Sequence, residues 1–358
     1  MPILNKQDEN EIKRYEKFLK EQKKVNLMQS LNWAKVKSDW KNEIVYLEND
    51  GKIIAAMSIL LKKIPKLNSY IAYSSRGPVC DFYNIDIVKK LVKEAELLRE
   101  KYNIFALKMD PEVIEDKELI KLYKDNGFIV RGENSDVESL IQPVHNMILS
   151  LDGETEESLF KRFSEKTRYN IRLASKKGVK VRYSQSKEDL KIFYELYKIT
   201  CIRDKIGCRA YSYFENMLES FKDYIRIYVA SYEEESLSAA ICINYGLKAF
   251  YIYGASSNEK RNLMPNYLMQ WEMIKWAIDT NCDNYDFGGV LNLSKDDGLF
   301  RFKSGFCKKE GVTLLIGEVD KVYKNGVYFL YAKVLPVIKN IKKFFKRIAR
   351  NINKNRKV

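Results

Sequence analysis

Histidine is almost missing from this chain: His145 is the one copy in 358 residues. That excludes a histidine-based catalytic triad and most imidazole acid–base schemes. A general base must then be a carboxylate, a lysine, a tyrosine or a group on the substrate. The six cysteines (Cys80, Cys201, Cys208, Cys242, Cys282 and Cys307) never take CxxC spacing. With one histidine they form no zinc signature, and in a chain of this size they read as reduced cytosolic thiols. Glycine and proline are scarce, at 16 and 7, which leaves little room for long disordered linkers. The longest apolar stretch, "VYFLYAKVLPVI", is too short and too interrupted to span a bilayer. The N-terminal "MPILNKQDENEIKRYEKFLK" is charged and amphipathic, without the apolar h-region of an export signal. A cytoplasmic protein, acting as a monomer, is expected.

What is present is an ordinary globular composition, 46% hydrophobic and 31% charged, long enough for two medium domains. The formal charge is +15, and no acidic residue follows Asp320. From Lys339 to Val358 there are nine Lys or Arg, while Val337, Ile338, Ile341, Phe344, Phe345, Ile348 and Ile352 recur at helical spacing. The pattern predicts a basic amphipathic helix over 336–358. Such a helix suits an anionic membrane surface or RNA, and equally a terminal helix with one face packed on the body.

The chain repeats a unit. "EIVYLENDGKIIAAMSILLKK" and "IRIYVASYEEESLSAAICINYG" each read as strand, turn and strand, with Ala55-Ala56 and Ala239-Ala240 in the second strand. Each is followed by a tyrosine-bearing strand, "SYIAYSSRGPV" or "AFYIYGASS". A helix comes next (Ile87 to Lys101, Tyr267 to Asp279), then a strand ending in aspartate, Asp110 or Asp286. Antiparallel strands, a helix and a further strand, twice over, predict an α/β (α+β) chain with two mixed sheets. The order resembles the GNAT-like acyltransferase fold. The expected division is 1–145 with about 314–335 as domain 1, 146–313 as domain 2, and 336–358 as the basic tail. "IQPVHNMILSLDG" reads as the crossover strand. "TEESLFKRFSEKTRYNIRLASKKGV" reads as one helix with an inner stripe of Phe160, Phe163, Thr167, Ile171 and Ala174, closed by Gly178 at C′.

One lysine stands out in this background. In "LFRFKSGFCKK", Lys303 follows Phe302 and precedes Phe306 in a semi-buried stretch. Surrounding an ammonium with aromatic rings is costly unless its charge is used or its head group reaches water from a surface strand.

Taken together and in order, several segments resemble the FemABX aminoacyltransferases, which build peptidoglycan interpeptide bridges, and especially the compact FemX type. They are "QSLNWAKVKSDW", "YSSRGPVCD", "MDPE", "FKRFSEKTRYNIRLASKKGV", "CRAYSYF", "YIYGAS", "MPNYLMQWEMIKWA", "YDFGGV" and "LFRFKSGF". The resemblance runs to about Lys324. It implies two GNAT-like domains and transfer of an amino acid from aminoacyl-tRNA to the side-chain amine of the third stem-peptide residue. The acceptor is UDP-MurNAc-pentapeptide or its lipid-linked form, lipid II. The coiled-coil arm of larger members is not expected, because "KEDLKIFYELYKITCIRDKIG" is of ordinary helical length.

An amine attacking a ribose ester needs positioning and stabilisation of the developing oxyanion, but neither a metal nor a cofactor. A fixed, partly desolvated cation supplies that stabilisation, and the resemblance gives Lys303 the role, with Phe302 beside it at the substrate. Asp110 is the candidate base, although an aspartate before proline also suits a turn cap; the tRNA's own 2′ hydroxyl is an alternative proton carrier. Asp286 is expected to order the Gly288-Gly289 turn. Lys37 and Arg209 match the family's contacts to the acceptor diphosphate, and Tyr213, Tyr251 and Tyr253 match its aromatic pocket; surface exposure and core packing are the plain alternatives. Phe105 stands where better-known members carry tyrosine. Trp33 and Trp40 are expected to pack. Lys166, Arg168, Arg172 and Lys176 are the candidate contacts to the tRNA backbone, or else a solvated helix face.

Two other readings compete. A GNAT enzyme using acetyl-CoA needs a glycine-rich turn before its central helix to cradle the pyrophosphate. "NEKRNLMPNYL" has no glycine there, and Pro265 removes a donor. A non-catalytic basic protein binding RNA or membrane is favoured by charge alone.

Overall fold

Asp50 and Gly51 both take left-handed backbone, with φ of 48° and 75°. That turn twists with the strands it joins, and it closes the first hairpin where Asn49-Asp50-Gly51 predicts one. The computed structural model describes residues 3–22, 25–133, 135 and 140–334. The helix expected over 336–358 lies outside the described residues.

The first repeat supplies β1 (Lys41–Asn49), β2 (Lys52–Ile64), β3 (Ser69–Ser74) and β4 (Ile104–Met109), followed by β5 (Ile129–Arg131). β6 (His145–Ser150) and β7 (Lys180–Ser184) lead to the second repeat. That repeat is β8 (Ile225–Tyr232), β9 (Glu235–Tyr245), β10 (Lys248–Ser256) and β11 (Asn284–Gly289), before β12 (Thr313–Leu314) and β13 (Glu318–Val322). In both repeats the first three strands pair antiparallel and the fourth runs parallel to the third. A parallel pair needs a crossover, supplied by the helices Ile85–Glu96 and Pro265–Asp279.

The six-stranded sheet has the order β1-β2-β3-β4-β13-β5, and the seven-stranded sheet β12-β6-β11-β10-β9-β8-β7. Residues 313–324, "TLLIGEVDKVYK", divide between the two sheets. Thr313–Leu314 stays on β6, while β13 inserts between β4 and β5 of the first sheet.

Strand alternation sorts the core into layers. Ile44, Tyr46, Ala56 and Leu60 of the first sheet share one core with Ile227, Val229, Ala239, Ile241 and Ile243 of the second. The helices Glu9–Glu21, Lys187–Asp204 and Tyr211–Ser220 fill it. The outer face of the first sheet packs on Ile85–Glu96 and Lys117–Asp125. That of the second packs on Glu165–Lys176, Pro265–Asp279 and Gly298–Phe306. The alanine pairs that mark the repeat are out of phase: Ala56 and Ala239 face the shared core, Ala55 and Ala240 the outer helices.

The single helix expected over 155–179 is two, Glu156–Arg162 and Glu165–Lys176. Phe163 is extended between them, and the Ser164 side chain accepts from the Thr167 N–H to start the second. Serine competes for backbone donors in this way and favours a cap over a helix interior. The predicted inner stripe holds, and Gly178 takes φ +87°. Among the described residues there is no long coiled-coil arm, and no helix is long and apolar enough to cross a membrane.

Candidate active site

A cavity of about 630 Å³ lies between the two sheets. Asn26, Met28, Trp33, Lys37, Asp39, Trp40, Tyr73, Ser75 and Arg76 come from the first-sheet side; Arg209, Tyr213, the β10 segment 250–253, Asp286, Gly288 and Gly289 come from the second. Trp33 and Asn146 line it, and the Trp33 indole nitrogen and Asn146 Oδ1 have no protein partner among the described residues. Buried polar atoms of that kind are available to a ligand.

Lys37 and Arg209 meet over one phenol. Lys37 follows the short helix Leu31–Val36, capped by Ser30. Its ammonium donates to the Tyr213 hydroxyl at 3.3 Å and lies 4.7 Å from the Trp33 ring centroid. The Arg209 guanidinium stands 4.7 Å over the Tyr213 ring and donates to the Tyr253 hydroxyl at 3.1 Å. Burial, with Arg209 adding like charge, brings Lys37 down to about 8. Two cations gathered on aromatic rings make a site that an anion would relax.

Tyr251 and Tyr253 reach the cavity from opposite faces of the sheet. Two residues apart in a regular strand, they would share a face. A bulge pairs Tyr251 with Cys242 but Tyr253 with Ile241, so Tyr253 packs on the shared core and Tyr251 on the outer one. Gly254 makes this arrangement possible, since a Cβ there would sit 1.7 Å from the Tyr251 hydroxyl.

Lys303 is on a helix, Gly298–Phe306, and not on a surface strand. Asp297 caps that helix by accepting from the Phe300 N–H at 2.7 Å. Gly305 lets it press against the neighbouring helix, where a Cβ would meet Thr167 Oγ1 at 2.3 Å. The head group does not snorkel. Lys303 is 5% exposed, and its ammonium donates to the Gly289 carbonyl at 2.9 Å. Gly288 and Gly289 line the cavity, and Asp286 Oδ1 accepts from the Gly288 N–H at 2.7 Å, ordering the turn as expected. The ammonium is thus bonded to a carbonyl of the glycine turn that lines the cavity. Burial lowers Lys303 to about 8, against the pull of Asp286.

Asp110, at the end of β4, is 2% exposed and lies behind the wall. Its Oδ2 accepts from the Tyr73 hydroxyl at 2.7 Å and its Oδ1 from the Arg76 N–H at 2.6 Å. Burial raises it to about 6, although Arg76 pulls the other way. The 75–77 loop is braced by the fully buried Gln29, whose Nε2 donates to the Ser75 carbonyl at 2.7 Å. Nearby, Glu112 and Lys248 form a buried ion pair joining the two halves, and Asn26 Nδ2 donates to Glu112 at 2.9 Å. Lys248 also pulls on Asp286, which burial nevertheless keeps above the ordinary carboxylate range.

Other expected residues stand apart. Phe105 is fully buried and does not line the cavity; its ring packs 5.2 Å from that of Tyr331, which does. Phe302 packs on Tyr267 and Phe306, behind the wall. Lys166, Arg172 and Lys176 are exposed on the helix Glu165–Lys176, away from the cavity lining. Arg168 is engaged in closing the preceding helix, donating to the Lys161 and Phe163 carbonyls at 2.9 and 2.6 Å. Trp33 and Trp40 pack as expected, Trp33 within the shared core and Trp40 against it, and both also line the cavity. Arg76, Glu112 and Lys248 went unassigned; Arg76 and Glu112 lie inside "YSSRGPVCD" and "MDPE", which was the available signal.

The FemAB family matches residues 11–236 and 231–335. The chain is 38% identical over 337 residues to the UDP-N-acetylmuramoylpentapeptide-lysine N(6)-alanyltransferase of Weissella viridescens, covering 92% of this chain and 98% of that one. To the lipid II:glycine glycyltransferase of Staphylococcus epidermidis it is 30% identical over 394 residues, covering 90% and 94%. The crystal structure of FemX superposes with a TM-score of 0.80 at 27% identity, over 90% of this chain and 98% of that one. A tandem GNAT protein from clavulanic acid biosynthesis, at 10% identity and TM-score 0.52 over 88% and 95%, shares the fold.

Proposed function

The chain belongs to the FemAB family, and from that premise we propose that it transfers an amino acid from aminoacyl-tRNA to the side-chain amine of the third residue of a peptidoglycan stem peptide. Its relatives make it an aminoacyltransferase. The carrier of the growing peptide is UDP-MurNAc-pentapeptide or lipid II, the substrates named for those relatives.

One observation carries the reading: a single cavity has a Lys37–Arg209 cation pair at one wall and the Gly288-Gly289 turn, backed by Lys303, at another. The pair suits the acceptor's diphosphate, with the forked Arg209 donors suited to phosphate oxygens. Tyr213, Tyr251 and Tyr253 suit the adjoining sugar and peptide. Lys303 acts on the reacting carbonyl through its field, across one glycine turn in a poorly screened site. The exposed Lys166, Arg172 and Lys176 suit the tRNA backbone, and the basic residues 339–358 suit an anionic membrane where lipid II resides.

The test crosses several charged tRNAs, carrying radiolabelled amino acids, with both acceptors. Label moving to an acceptor amine supports the reading. Binding of tRNA and acceptor without transfer overturns it in favour of a non-catalytic basic protein.

A further inference from the structure

We infer that Tyr73 is a catalytic residue of this site, its phenol passing the proton released by the attacking amine on to Asp110. The inference rests on the aminoacyl-transfer reading above and deepens it.

Asp110 has no surface in the cavity, and one carboxylate oxygen is already taken by the Arg76 N–H at 2.6 Å. A carboxylate so placed cannot meet a substrate amine directly. Its other oxygen accepts from the Tyr73 hydroxyl at 2.7 Å, and Tyr73 does line the cavity. Ser75, also in the lining, donates to the same hydroxyl at 3.3 Å. The hydrogen-bonded path from cavity to carboxylate is thus one phenol long.

The groups facing Asp110 are Tyr73 from β3, Arg76 from the following loop and Glu318 from β13. Burial outweighs the Arg76 charge and lifts the carboxyl to about 6, so at neutral pH it is ionised yet more basic than an ordinary aspartate. Burial also pushes the Tyr73 hydroxyl well above its usual value. Tyr73 therefore keeps its proton and serves as a conduit, not as the resting base.

The step balances. The neutral amine nitrogen bonds to the ester carbonyl carbon, whose π pair moves to oxygen. The nitrogen then loses a proton to the Tyr73 oxygen, keeping the N–H electron pair, as the Tyr73 proton moves to Asp110 Oδ2. When the carbonyl re-forms, the C–O bond to ribose breaks with its pair on the leaving oxygen. The proton returns from Asp110 through Tyr73 to that oxygen, so enzyme and protons end as they began.

The experiment measures single-turnover transfer from charged tRNA to UDP-MurNAc-pentapeptide below and above pH 6, in wild type, Tyr73→Phe, Asp110→Asn and the double variant. Acceptor affinity is followed by calorimetry. Wild type is expected to lose rate below about pH 6. Each single variant should be slower by roughly a hundredfold, with unchanged acceptor affinity and no such acid limb. The double variant should be no worse than either, as for residues acting as a unit. A Tyr73→Phe enzyme with wild-type rate and acid limb overturns the relay alone. Should that variant fail to fold, wild-type turnover in Asp110→Asn overturns it equally. Wild type that transfers nothing to either acceptor removes the functional reading, and the relay with it.

Discussion

The Lys303 ammonium is hydrogen-bonded to the Gly289 carbonyl at 2.9 Å, which fixes a buried positive charge directly behind the cavity wall. A group held there contributes by its field more than by contact. Lys303→Ala should therefore lower kcat on the order of a hundredfold or more while leaving acceptor KM nearly unchanged. Steady-state kinetics on UDP-MurNAc-pentapeptide check this; a near-normal kcat removes Lys303 from the mechanism.

The same charge sets an alkaline limit. With its proton lost at about 8, Lys303 is cationic below that pH and neutral above it, so turnover should fall as pH rises through this range. Lys303→Arg keeps its charge throughout. Its turnover, reduced by the altered shape, should show no decline there. A pH–kcat profile of the two proteins decides; an identical alkaline limb in both assigns the limb elsewhere.

Lys37 and Arg209 should act on binding. Lys37→Ala and Arg209→Ala are each expected to raise acceptor KM roughly ten- to a hundredfold with little change in kcat. Because Lys37 also titrates at about 8, acceptor affinity should weaken as pH rises through that value. Calorimetry with UDP-MurNAc-pentapeptide and with the same peptide lacking phosphate checks both points. Equal losses for the two ligands exclude a phosphate contact.

How much of this was legible beforehand depends on the range of the interaction. The repeat was readable, because each strand and turn carries its own local pattern; the Asp50-Gly51 turn is one case. Lys303 was readable as an anomaly among aromatic residues, but its element was not. Helix 298–306 is set by the Asp297 cap and by packing on Thr167, neither visible in "LFRFKSGF". The opposed faces of Tyr251 and Tyr253 follow from one bulged residue, which period-two reading cannot see. Glu112 and Lys248 are 136 positions apart, so nothing local announces their pairing. Trp33 and Trp40 pack as read, but their second place in the cavity lining was not legible, because aromatic residues serve core and cavity alike.

That long-range pair gives a stability prediction. Removing one partner of a buried ion pair leaves an uncompensated charge, which typically costs about 3–5 kcal/mol. Glu112→Ala should destabilise the protein by that order, with Lys248 8% exposed and left without its carboxylate. The double replacement Glu112→Met with Lys248→Met should recover most of the loss, since well-packed apolar groups avoid the desolvation. Urea denaturation of the single and double variants measures both. A double variant as unstable as the single one would mean that the pair's specific geometry, and not the orphaned charge, is what the fold requires.

Asp110 offers a different trade. Its folded-state value, about 6, lies above the roughly 3.9 of an unfolded aspartate. The folded chain thus binds that proton more tightly than the unfolded one. The resulting stabilisation is complete below the unfolded value and is lost as pH rises through about 6. At neutral pH the native state holds an ionised carboxylate that burial disfavours, though Tyr73 and Arg76 both donate to it. Asp110→Asn removes the titration and can keep hydrogen bonds to both neighbours. Relative to wild type, it should gain on the order of 2 kcal/mol between the bottom and the top of that window. Denaturation of both proteins at the two pH values gives the difference directly, with the remaining carboxylates cancelling. A variant whose stability tracks wild type across the window would show that Asp110 is not held above its ordinary range. Gained stability with lost transfer is the pattern expected of a residue kept for chemistry at the expense of the fold.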